Sequence, residues 1–307
     1  MLRSRRFRAV FLCMALCLPA VSCKTSDDAK MLAGRLTTAA ANLGDYYATL
    51  SGIASENVKL ERLQQATMGV PFGKQDQAQL QDVQNELQKR ADAAHALADL
   101  GMAFSGLTGS TAPADVAASA GNLGTELSAV QQLPGASYAP IALQKAGQLL
   151  TQFAQERDER KMVRQMEPTL NALSETFSRE KDAYNSINRT YIELAQAIAL
   201  DLVNKNQVDP GSLVEPALKP FGLTSRMPSA TVPQGLQDYA KEQIQNEGQA
   251  QIAAHAKASD ALETTLKNLA QNAHEVASGQ PITKHSLKLS TVESWIQMNS
   301  DSGKHSH

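Results

Sequence analysis

The chain has 307 residues, 42% hydrophobic but only 5% aromatic, with 46 Ala, 35 Leu and 26 Gln against 18 Gly and 12 Pro. This balance argues against a β-sandwich or barrel, which needs more β-branched and aromatic residues and more turn signals, and favours long helices packed through small side chains. The charged fraction of 20% is too low for a disordered polyelectrolyte. A pI near 6.3 leaves no basic footprint for nucleic acid.

Residues 1–22 read as an export leader rather than as part of the fold. Arg3, Arg5, Arg6 and Arg8 form a positive start, followed by an apolar run from Ala9 to Ala20. At about a dozen residues this run is too short to span a bilayer as a helix. Pro19-Ala20-Val21-Ser22 then places small residues before Cys23. The segment resembles a bacterial lipoprotein signal, with Ala20 standing where such signals usually carry Leu. The resemblance implies cleavage before Cys23, diacylglyceryl attachment to its sulfur and fatty acylation of the new terminus, as with palmitate. Lys24, in place of Asp, implies sorting to the outer membrane, facing the periplasm. An ordinary secretory signal cleaved after Ala20 is the other reading of the same residues.

Cysteine usage favours the anchor. Cys13 and Cys17 fall inside the leader and no cysteine follows Cys23, so the mature chain has no disulfide framework. Two or three acyl chains hold a protein stably to a membrane, whereas one is marginal. Loss of the leader takes four arginines, so 29 basic against 31 acidic residues become 25 against 31, a net charge of −6.

Proline-free stretches mark the helix bodies, because proline breaks the helical hydrogen-bond ladder. They fall at 24–70, 72–112, 141–167, 169–209 and 234–280. In the first, Leu36, Ala39, Leu43, Tyr46, Leu50, Ile53, Asn57 and Leu60 recur at helical spacing. Leu80, Val83, Leu87, Ala94, Leu97 and Phe104 do nearly the same in the second. Shorter helices are expected near 113–132 and 138–166, with Glu167-Pro168 either separating two helices or kinking one. Over 169–206, Leu170, Leu173, Phe177, Tyr184, Ile187, Tyr191, Leu194 and Ile198 form a coiled-coil-like seam. Five prolines crowd 210–233, within a connector over 207–233. The last long helix is alanine-rich, with Leu262, Leu266, Leu269 and Val276 beyond. In the tail, Ser290-Thr-Val-Glu293 fits a capping box opening a short helix near 291–299.

The expected architecture is all-α: an elongated antiparallel multi-helix bundle over 30–280, joined to Cys23 by a tether at 23–29 and followed by a tail at 281–307. Pro-Phe-Gly at 71–73 and again at 220–222, each followed by Leu-Gln-Asp, hints at two related halves or at coincidence. Heptads of this length could also drive homo-oligomerisation.

The sequence offers little chemistry. His-Glu-x-x-His, Gly-x-Ser-x-Gly, phosphate-loop and paired-cysteine patterns are absent. No catalytic residue, metal ligand or cofactor is therefore expected. Steps of seven from Leu173 place Glu180 and Asp201 on the seam. A buried carboxylate must be paired, hydrogen-bonded or protonated. Glu180 thus either lines a polar pocket with Tyr46, Tyr184 and Tyr191 or pairs with a base from another helix. Asp201 could instead be rotated out by helix drift. His95 and His255 occupy similar alanine-rich runs and could face each other if the halves are related. Trp295, the one tryptophan, either docks on the bundle or contacts a partner.

These readings converge on a lipid-anchored envelope protein resembling all-helical bacterial lipoproteins. Its expected task is non-catalytic: a scaffold or an interaction module for another envelope protein. A periplasmic small-ligand or sensor bundle with an interhelical pocket is the alternative.

Overall fold

The computed structural model describes the backbone of residues 5–67, 74–107, 113–151, 159–205 and 233–302, and the side chains of 27–66, 77–106, 114–150, 161–205 and 233–300. Seven helices and no strand occur among the described residues. They are α1 (Arg5–Thr67), α2 (Lys74–Leu107), α3 (Pro113–Ala129), α4 (Ile141–Thr151), α5 (Glu159–Asn204), α6 (Gln234–Ser278) and α7 (Leu289–Ser302). The 207–233 connector (apart from Pro233), both Pro-Phe-Gly segments and the last five residues lie outside the described residues, as does the Cys23 side chain.

Two long antiparallel pairs build the frame. Between α1 and α2, Ser51 Oγ donates to the Gln84 carbonyl, Gly44 lies under His95, and Thr37 lies against Gly101. Positions rise on one helix as they fall on the other. The α5–α6 pair follows the same rule, from Gln196 with Ile244, through Lys181 with Asp260, to Arg164 with Ala277. Helix α1 packs on α2, α5, α6 and α7. The shorter α3 and α4 pack on each other and bridge α2 to α5, while α7 packs on α6 and α1. Among the described residues, no helix is long and apolar enough to cross a membrane.

The core follows the helical periodicity. Leu36, Ala39, Leu43, Tyr46, Leu50, Ile53 and Asn57 of α1 are all buried. Small residues set the helix spacing. A Cβ on Gly101 would stand 2.6 Å from Thr37 Oγ1 and 3.2 Å from the Ala33 carbonyl oxygen. Only glycine lets α1 and α2 approach this closely there.

Three boundaries differ from the spacing-based expectation. Helix α5 continues through Pro168, so Glu167-Pro168 does not separate two helices; α4 is described to Thr151 and α5 from Glu159. The proline forfeits one ladder bond to Arg164, while the long buried face on both sides of it, Val163 and Met166 before, Leu170 and Leu173 after, keeps the helix whole. The tail helix α7 begins at Leu289, so Ser290 sits inside its first turn instead of capping it, and the Ser290 carbonyl accepts from Ser294 Oγ. Finally, α1 is continuous past the expected tether, and among its described side chains Ala29 is the first that is fully buried.

The end of α6 aims α7. Gly279, at φ 77°, adopts the left-handed conformation, and its N–H and that of Gln280 return to the Val276 and Glu275 carbonyls. The Glu275 carboxylate then takes the Thr283 N–H at 2.7 Å and its hydroxyl at 2.8 Å. Burial opposes charge on Glu275, but these bonds hold its pKa below the usual range. The chain is thereby pinned as it turns back towards α1.

Candidate functional site

The polar centre of the molecule is a buried network across α1, α2 and α5. Glu180 of α5 is fully buried and Arg90 of α2 is 3% exposed. They meet in a two-pronged pair: Arg90 Nη2 lies 2.8 Å from Glu180 Oε1, and Nε lies 3.2 Å from Oε2. Arg90 also donates through Nη1 to the Glu86 backbone oxygen at 3.1 Å and to its Oε2 at 3.3 Å. Its Nη2 reaches the Gln131 carbonyl at 2.8 Å, and the Gln131 N–H returns to Glu86 Oε2 at 2.9 Å. The network therefore ties the linker after α3 to the α2–α5 pair. Burial works against the guanidinium charge, but the Glu180 carboxylate and its neighbours raise the Arg90 pKa on balance.

Two tyrosines complete the network. Tyr184, one turn beyond Glu180, donates to Glu180 Oε2. Tyr47 of α1 shares a hydroxyl contact with Tyr184 at 3.3 Å. Burial, reinforced by the nearby Glu180 charge, raises the pKa of both phenols. They stay neutral and act as hydrogen-bond donors.

An aromatic cluster adjoins this network. Tyr46 packs edge-on to Tyr47 at 5.8 Å between centroids and stacks on His255 of α6 at 5.6 Å. Its hydroxyl lies 3.0 Å from His255 Nε2. Trp295 of α7 covers both, 5.1 Å from Tyr46 and 4.7 Å from His255. Burial lowers the His255 pKa to about 4, so the imidazole is neutral near pH 7. Burial also pushes the Tyr46 phenol up, with a further contribution from Tyr47.

Of the residues singled out from sequence, Tyr46, Glu180 and Tyr184 lie together here. Tyr191 does not: it is only partly buried, and its charged neighbours are Glu56 and Lys59. Asp201 is rotated outward and pairs with Lys205 at 2.6 Å, while Val203 takes the buried position. The seam drifts because 3.6 residues per turn does not match a seven-residue repeat. Trp295 is 2% exposed, so its ring is spent on the chain's own bundle. His95 and His255 do not meet: His95 is exposed beside Asp45, at 3.4 Å.

The sequence reading missed Arg90, Glu86 and His255 as members of the centre. Glu86-x-x-x-Arg90 is an ordinary surface pairing pattern on a helix, and His255 sits among alanines. Only the facing helices distinguish them from solvated residues.

The centre is tightly filled. The enclosed cavity beside Arg90 and Tyr47 has a volume of about 20 Å³, scarcely more than one water requires. Thr169 and Thr176 line it, each with a buried hydroxyl that lacks a protein partner. Two larger depressions are open clefts between α5 and α6, and a third, of about 200 Å³, lies among Asn57 of α1, Val83 of α2 and Ile187 of α5. One, of about 610 Å³, is lined by charged and polar residues including Glu167, Arg179 and His274. Another, of about 570 Å³, is more apolar and includes Ile192, Ala199 and Ile244. Neither touches the buried network. Among the described residues, no group of three or more His, Cys, Asp or Glu side chains is placed to hold a metal.

The fold and the buried centre define the class: an all-α bundle locked by an internal ion pair. Comparison with family models, curated proteins and solved structures finds no match for this chain.

Proposed function

We propose that this chain is a lipid-anchored cell-envelope scaffold that presents a rigid helical bundle to a protein partner, without catalysing a reaction. The observation that carries the scaffold reading is the self-sufficiency of the buried centre. Arg90 meets Glu180 and Glu86 directly, Tyr184 donates to Glu180, and the adjoining cavity is about 20 Å³. A ligand site would need polar groups converging on space for several heavy atoms. Here the polar groups converge on one another, so they fix helix register. The anchor rests on the leader ending at Cys23, the one cysteine left to a chain cleaved there. The surface the partner meets, in this reading, is the exposed flank of the long helices.

Two measurements test the proposal. Fractionation of cells carrying wild-type or Cys23→Ser protein, with metabolic labelling by a fatty acid, should show label and membrane retention in the wild type alone. Unchanged label in the variant sinks the anchor. Crosslinking in the intact envelope, followed by mass spectrometry, should recover a defined heteromeric partner. Recovery of free monomer alone sinks the scaffold.

A further inference from the structure

Asn57 stands where the α1 seam calls for an apolar side chain. It continues the 3-4 recurrence through Leu50 and Ile53, is 4% exposed, and its Oδ1 has no protein hydrogen-bond partner. A buried amide oxygen left unpaired costs stability, whereas an apolar side chain of similar shape is nearly neutral there. The Asn57 side chain lines the depression of about 200 Å³ between α1, α2 and α5. This site is separate from the buried ion-pair network: Arg90, Glu86, Glu180, Tyr47 and Tyr184 are not among its lining residues.

Depth follows exposure. Ala54 and Asn57 are buried at the floor, Leu80, Val83 and Ile187 form half-buried walls, and Ser186 and Thr190 are exposed at the rim. Pro134 and Gly135 close one side. They are the central residues of a turn in which the Ala136 N–H donates to the Leu133 carbonyl at 2.9 Å. Gly135, at φ 85°, supplies the left-handed residue that a Pro-Gly turn of type II requires. Arg90 holds the approach to this turn through the Gln131 carbonyl, and Leu133 is fully buried, so the wall is fixed to the bundle.

We infer that this depression is the docking point of the protein partner and that it takes a tyrosine side chain, with the ring against Leu80, Val83 and Ile187 and the hydroxyl on the Asn57 amide. The inference rests on the scaffold reading and places the contact on the α1–α2–α5 flank. Size fits the ring: an apolar cavity of about 150 Å³ holds benzene, and this one has about 200 Å³. Chemistry selects the hydroxyl. Rotation of the Asn57 amide presents either its oxygen, an acceptor, or its nitrogen, a donor, and a phenol meets both, whereas indole and ammonium groups only donate. A lysine ammonium gives up its hydration for a floor that offers one neutral amide. Glu61, half-buried on the wall one turn beyond Asn57, turns acidic side chains away. Tyrosine anchors interfaces in this way, by filling a pocket with its ring and pairing its one polar atom.

Saturation-transfer NMR on the full-length lipidated protein in lipid nanodiscs reads the pocket, with N-acetyltyrosinamide and N-acetylphenylalaninamide as probes. The two differ only in the phenol hydroxyl. The tyrosine probe should bind the wild type at least about threefold more tightly, and Asn57→Leu should abolish that preference without lowering the melting temperature. Ser186→Trp, at an exposed rim position, should block both probes. Equal binding of the two probes to the wild type, a preference that survives Asn57→Leu, or tighter binding of N-acetyllysinamide overturns the tyrosine pocket and leaves the scaffold standing. Crosslinking in the intact envelope then ties the pocket to the partner, since the heteromeric partner captured by the wild type should be lost from Ser186→Trp. Undiminished capture by Ser186→Trp overturns the docking point, again with the scaffold intact. Recovery of free monomer alone from the wild type sinks the scaffold and the docking point with it.

Discussion

Replacing Arg90 with Met tests the reading of the buried centre as a register lock. The substitution keeps much of the side chain's apolar volume and removes the guanidinium. Four acceptors then lose a donor: both Glu180 oxygens, the Glu86 carboxylate, the Glu86 carbonyl and the Gln131 carbonyl are served by this one group, the first two counting as a single carboxylate. Glu180 is fully buried, so its carboxylate cannot recover hydration without opening the α2–α5 interface. Breaking one side of such a pair costs about 3–5 kcal/mol. Glu180→Leu alone should also destabilise, because Arg90 loses its two-pronged partner and keeps only Glu86 and the Gln131 carbonyl. Arg90→Met with Glu180→Leu should cost less than either single change, because two apolar side chains replace an internally compensated pair. Urea unfolding followed by circular dichroism, with the double-mutant cycle evaluated at fixed pH and salt, reads these terms. A loss under about 1 kcal/mol for Arg90→Met, or additive single losses, would falsify the lock.

The remaining predictions address pH, the tail helix and close helix approach. His255 has a folded pKa of about 4 against an ordinary 6.5, so the unfolded chain binds a proton first as pH falls. Its stabilising contribution is complete above about pH 6.5 and disappears as pH drops towards 4, an effect of order 3 kcal/mol. His255→Phe should flatten the melting-temperature profile across that window; an unchanged slope contradicts the assignment. Trp295→Ala removes the buried ring that joins α7 to Tyr46 and His255, and should cost about 3–5 kcal/mol by calorimetry. A loss of less than about 1 kcal/mol would show that α7 is not held by this ring. Gly101→Ala meets the backbone of Ala33 and Thr37 at 3.2 and 3.0 Å and should destabilise by about 1–3 kcal/mol. Gly34→Ala meets nothing within 4 Å and should stabilise α1 by about 0.5–1 kcal/mol. Equal effects of the two alanines would refute the close-approach argument.

Helix existence and the core face were written in local spacing. The 3-4 recurrence from Leu36 to Asn57 identifies buried positions of α1 because every turn repeats the same geometric relation to the core. The proline-free gaps marked the long helices for the same local reason, and Glu180 stood out as a charge at an apolar position. Local rules failed where a neighbouring element outweighed them. Pro168 stays inside α5 because tertiary packing continues across it, and Asp201 escapes the seam because the helix drifts over the four heptads from Leu173.

The identity of the buried centre belonged to the tertiary structure alone. Arg90 and Glu180 are 90 positions apart, and Tyr46 and His255 are 209 apart. No periodicity within one helix could say which face of α2 would meet α5, or that α7 would return Trp295 onto α1. The sequence by itself determined that these residues ride on helices and which positions are apolar. Packing decided that a common Glu86–Arg90 helix pairing becomes the partner of a fully buried acid, because only the facing helices remove water from it.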